Sequence, residues 1–163
     1  SGRTNGGMFS TTAGLGDVFR LAPLTVTPQI GLRVASETLA AFNESGGELA
    51  LGVHGIAHTL PSLLIDLDLR LDRQQLGSWT LAPALVLGYE RALDNPQIES
   101  MATRYGYAIS QKSAFDSQNL MKAGLSVTAQ HDAFTVTAKA NGSIGDGSGS
   151  VGIGGQLALS YSF

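Results

Sequence analysis

The chain has 163 residues; 14% are charged, against about 25% in typical soluble domains, and only Lys112, Lys122 and Lys139 are lysines. A net charge of −3 argues against an electrostatic nucleic-acid binder, which needs a basic stripe, and 43% hydrophobic content with low net charge argues against a disordered chain. The absence of cysteine excludes disulfides and thiolate metal sites.

The longest strongly apolar runs, such as Ala84-Leu85-Val86-Leu87, are about four residues and fall far short of the roughly 20 of a transmembrane helix. The 21 glycines are nearly twice the usual share of about 7%, so a glycine-rich, lysine-poor chain without membrane helices leans towards a β-barrel. The opening Ser1-Gly2-Arg3 carries neither an initiator methionine nor a signal peptide, so a processed or truncated piece is expected. Residues 1–7 are expected to be a flexible segment or cloning remnant, and 8–163 a single barrel domain.

From there the chain alternates with period two. Phe9 to Phe19 alternates weakly around Thr11, Ala13 and Leu15, and Leu24, Val26, Pro28, Ile30, Leu32 and Val34 then oppose Thr25, Thr27, Gln29, Gly31 and Arg33. Leu49, Leu51 and Val53 oppose Glu48, Ala50, Gly52 and His54. Leu63, Ile65, Leu67, Leu69 and Leu71 line one face, with Asp66, Asp68, Arg70 and Asp72 on the other. As a helix that segment would scatter leucines around the whole cylinder. Trp79 to Glu90, Met121 to Gln130, Phe134 to Asn141 and Val151 to Phe163 repeat the pattern.

The expected fold is therefore an all-β antiparallel transmembrane barrel of about eight strands. Breakers stand at Ala22-Pro23, Gly46-Gly47, Leu60-Pro61-Ser62, Gly77-Ser78 and Gly145 to Ser150, while Ala92 to Asn119 reads as one long loop. Pro28 and Pro83 sit in similar turn-then-strand units, which implies parallel strands, whereas eight alternating strands would make these two antiparallel.

The polar face decides what the apolar face meets. It is mostly Gly, Ala, Ser and Thr, small enough for the inside of a narrow barrel, with a few charges that can pair across it. The expected lumen network comprises Arg33, Glu48, Asp66, Asp68, Arg70, Asp72, Lys122 and Lys139. The leucine face then meets lipid, and Phe19, Trp79, Tyr89 and Phe134 near strand ends form the aromatic girdle.

Little else suggests chemistry. His54 and His58 lie about 13 Å apart along a strand, too far for one metal ion. Gly14-Leu15-Gly16 and Gly145 to Gly149 lack a following helix and read as turn glycines, and no Ser or Thr occupies a nucleophile elbow. No catalytic residue, metal or cofactor is expected.

The ending Leu157-Ala158-Leu159-Ser160-Tyr161-Ser162-Phe163 resembles the C-terminal signature of Gram-negative outer-membrane barrels. The strand from Leu24 to Leu32, Phe42-Asn43-Glu44-Ser45-Gly46, Trp79 to Glu90 and Ala123-Gly124-Leu125-Ser126 are together similar to the translocator domain of autotransporters. That resemblance implies a bacterial outer-membrane location. It also implies partners in outer-membrane lipid, the barrel-assembly machinery, which reads Leu157, Leu159, Tyr161 and Phe163, and a passenger in cis. No nucleic-acid partner is expected. A complete translocator of the family has twelve strands, so the chain resembles its C-terminal two-thirds; an eight-stranded stand-alone anchor or adhesin and a soluble ligand-binding barrel are the alternatives.

Overall fold

The computed structural model describes residues 4–44, 51–104, 107–112, 117–147 and 150–162, and every regular element in them is a strand. The main sheet contains β1 (Gly6–Gly16), β2 (Phe19–Leu21), β3 (Leu24–Leu39), β6 (Ile56–Leu71), β7 (Gln74–Leu76), β8 (Trp79–Ala92), β11 (Asn119–His131), β12 (Phe134–Gly145) and β13 (Val151–Tyr161). A smaller sheet contains β4 (Phe42–Asn43), β5 (Gly52–Val53), β9 (Glu99–Arg104) and β10 (Tyr107–Lys112).

Neighbours in the main sheet run β1-β3-β6-β8-β11-β12-β13, all antiparallel, with β2 continuing β1 along β3 and β7 continuing β6 along β8. That leaves seven long strands, and β1 and β13 do not pair with each other among the described residues, so the sheet is open.

The expected strand over 48–54 is not a long strand of this sheet. Residues 45–50 lie outside the described residues, and Gly52–Val53 pairs with Phe42–Asn43 and β9 in the smaller sheet. With that run removed, β3 and β8 are second and fourth in the meander and run the same way, as their matching prolines imply.

The prolines also explain where the ladder breaks. The Pro28 carbonyl accepts the Asp17 N–H at 3.3 Å, so the Pro28 nitrogen, which has no hydrogen, faces the same neighbour, at the gap between β1 and β2. Pro83 also stands at a break in pairing, one hairpin later. The β6–β8 ladder stops at Arg70↔Ala84 and resumes at Gln74↔Leu81 with its register shifted by one residue. Pro61, expected to break a strand, lies inside β6 instead. Its carbonyl accepts Leu93 N–H at 2.8 Å, just past the last β6–β8 pair at Ser62↔Ala92, so its nitrogen, which has no hydrogen, faces β8 where that ladder ends.

Gly14 and Gly16, expected in a turn, also lie inside a strand, β1. The stretch expected as one loop from Ala92 to Asn119 contains the β9–β10 hairpin.

Turns and loops segregate. Ala22-Pro23, Gly77-Ser78 and Asp132-Ala133 make two-residue turns at one rim, where Gly77 (φ 62°) and Asp132 (φ 49°) take the left-handed conformation such turns require. The other rim carries the long connections 40–55, 93–118 and 146–150 and the smaller sheet.

Candidate functional site: the polar face of the sheet

Register puts Leu24, Val26, Ile30 and Leu32 beside Leu71, Leu69, Ile65 and Leu63, and these beside the apolar side of β8. Along β8 the apolar face runs from Trp79 to Tyr89, about 34 Å of strand, which a tilt of roughly 35–45° converts to about 24–28 Å of height. That matches the apolar band of an outer-membrane barrel, about 25 Å.

Burial is inverted relative to a water-soluble domain. Leu15 is 80% exposed and Ile153 91%, whereas Ser62 is 1% and Glu90 8% exposed. Ala92 is the one buried hydrophobic residue among those described. In water this arrangement would forfeit the main driving force for folding; against lipid tails it forfeits nothing.

The polar face is built around Glu90. Its Oε1 accepts from the Arg33 guanidinium, which reaches over β6 from β3, and its Oε2 accepts from Lys122 Nζ at 2.7 Å, from β11 on the other side. One carboxylate thus ties β3, β8 and β11 together. Both cations stay partly open, with side chains 32% and 44% exposed.

Glu90 shares the phase of Ala84, Val86 and Gly88 and so belongs to the polar face, although it was not among the expected network residues. Its in-phase position was the signal that could have found it.

Asp68 pairs with Arg70 on its own strand through two hydrogen bonds, at 3.0 and 2.8 Å, instead of across the sheet. Asp66 leans over Gly88, where a Cβ would come within 2.7 Å of Asp66 Oδ1. Asp72 lies past the end of β6, its N–H donating to Pro23 O at 2.8 Å. Lys139 sits on the same face between Ser126 and Gln156. Among the described residues Asp66, Asp72 and Lys139 carry no ion pair, and Glu48 lies outside the described residues.

The aromatic residues divide between the rims. Trp79 packs on His131 (centroids 5.2 Å apart) and edge-on to Phe134 (6.4 Å) at the short-turn rim, where Phe134 pairs with Tyr161 and Phe19 lies on β2. Tyr89 lies towards the long-loop rim, its hydroxyl donating to Asn119 Oδ1 at 2.6 Å. Leu157, Leu159 and Tyr161 share the apolar face of β13, opposite Ala138, Val136 and Phe134; Phe163 lies outside the described residues.

At the long-loop rim, Asn119 and Asp146 clasp two connections. Asn119 donates its backbone N–H to Asp146 Oδ1 at 3.0 Å and its side-chain amide to Oδ2, and Asp146 N–H returns a bond to Asn119 O at 3.2 Å. The Asn119 backbone donor, then its amide, hold the Asp146 carboxyl below the usual carboxylate range.

Comparison with curated proteins returned no match. The family described as "Autotransporter beta-domain" matches residues 1–143, ending inside β12, so the C-terminal signature falls beyond the matched stretch. An antiparallel sheet with an apolar outer face, a charged inner face and segregated turns fits that family, and the chain belongs to it: it is an autotransporter β-domain, an outer-membrane translocator chain of Gram-negative bacteria.

Proposed function

We propose that this chain forms the C-terminal wall of a translocator barrel that anchors and exports, or displays, a passenger attached N-terminal to it. The observation that carries the reading is the inverted burial: leucines outward, and Glu90 buried between two cations on the inner face. The open edges of β1 and β13 favour a larger wall, because unpaired backbone groups in hydrocarbon cost several kcal/mol each. The seven long strands among the described residues also leave β1 beginning at one rim and β13 ending at the other, which disfavours a self-contained barrel of even strand number.

The work is anchoring and conduction, with no catalytic group and no cofactor. The short-turn rim faces the periplasm and the long connections face outward. Outer-membrane lipid covers the leucine face, and the barrel-assembly machinery receives β13 as an extended strand whose Leu157, Leu159 and Tyr161 share one face. In intact cells producing the full-length polypeptide, added protease should remove the passenger and leave this chain as a detergent-soluble, heat-modifiable band. A chain that stays dispersed without detergent, or a passenger never accessible from outside, contradicts the proposal.

A further inference from the structure

On the lipid side of β8, β11, β12 and β13 the wall is dented. The register row Leu87–Ala123–Gly142–Ile153 places two minimal residues between two large ones, and the result is a trough of about 630 Å³. Three interstrand spacings separate Leu87 from Ile153, about 14 Å between backbones before side chains are counted. Tyr89 and Met121 line the trough one row nearer the long-loop rim.

The next residue on that face of β8 is Arg91, flanked in register by Leu63 and Asn119, where the apolar run ends. Arg91 is exposed and makes no ion pair among the described residues. Of the acids closest in sequence or register, Glu90 points to the other face and holds Arg33 and Lys122, Asp146 accepts from Asn119 with both carboxylate oxygens, and Asp94 accepts the N–H of its neighbour Asn95.

We propose that this trough seats the acyl part of one phosphate-bearing anionic lipid, with Arg91 binding its phosphate. A guanidinium matches phosphate geometry, and its position at the upper end of the apolar run is where a headgroup stands when its tails lie below. The site rests on the lipid-facing assignment proposed above, and adds to it a particular headgroup charge at a particular place.

The test is native mass spectrometry of the full chain, purified from outer membranes in detergent and delipidated. It is titrated with phosphatidylglycerol or with phosphatidylcholine of the same acyl chains. The first lipid retained should be phosphatidylglycerol, with an affinity about fivefold higher than phosphatidylcholine, the gain expected of one basic residue at an anionic surface. Arg91→Gln should abolish that preference and Arg91→Lys keep most of it. Arg73→Gln, at the other rim, should leave it intact, and Ala123→Leu, which fills the trough, should weaken both lipids alike. Equal affinity of the unmodified chain for the two lipids, or a preference that survives Arg91→Gln, overturns the site while leaving the translocator reading standing. A chain that needs no detergent overturns both.

Discussion

Arg33 on β3 reaches across the whole width of β6 to Glu90 on β8, and Lys122 on β11 grips the same carboxylate from the opposite side. Removing the central charge leaves two cations facing one another across a half-buried site. Glu90→Gln should therefore lower the urea stability of the folded protein by about 2–3 kcal/mol, less than for a fully buried pair because both cations are partly solvated. Lys122→Gln in the Glu90→Gln background should cost much less than alone. Additive losses in that double-mutant cycle would show that the two residues do not act together.

The faces can be told apart by one substitution on each. Leu67 lies in the middle of the apolar side of β6, and Leu67→Arg should destabilise the inserted protein by about 2–4 kcal/mol. Ala84→Ser, on the inner side of β8, should change the urea midpoint little. The opposite ranking would mean that the faces are exchanged.

Asp146 gives a pH signature at the long-loop rim, outside the membrane-spanning part. Its carboxyl is held below the ordinary value, so its contribution is complete above the unfolded value of about 3.9 and is lost as pH falls from there through the lower folded value. Asp146→Ala should be less stable than the parent at pH 7, with the difference shrinking below about pH 4. A difference in urea midpoint that stays constant into strong acid contradicts the clasp.

In the sequence Phe163 continues the alternation of Leu157, Leu159 and Tyr161, the run that resembles an outer-membrane assembly signal. Its deletion should lower the amount assembled in outer membranes far more than it lowers the urea stability of protein refolded in detergent. Equal losses in the two assays would make it a structural residue only.

Much of this was legible in the sequence because alternation is local. The leucines of 63–71 announce one face of β6 without knowledge of any partner strand. Pairing is not local. Pro61 reads as a breaker until Leu93 is seen bonded to its carbonyl at the end of the β6–β8 ladder, and Gly14 reads as a turn until β3 is found alongside it. Asp66, Asp68 and Arg70 announce a charged face, but which cation meets which acid depends on register two strands away. That distance is why Glu90, and not an aspartate, takes Arg33.

Cysteine accessibility along β6 tests most directly whether the leucine face, and not the charged face, meets lipid. The chain has no cysteine, so single cysteines can be placed in turn along residues 63–72 of the full chain, reconstituted in vesicles, without background. Reactivity should follow a period of two. Cysteines in place of Asp66 and Asp68, on the charged side, react with a water-soluble maleimide. Leu67→Cys and Leu69→Cys are shielded from it and, once labelled with a fluorophore in detergent, are quenched by brominated lipid. Uniform reactivity along the segment, or the same alternation in the opposite phase, would contradict a lipid-facing leucine side.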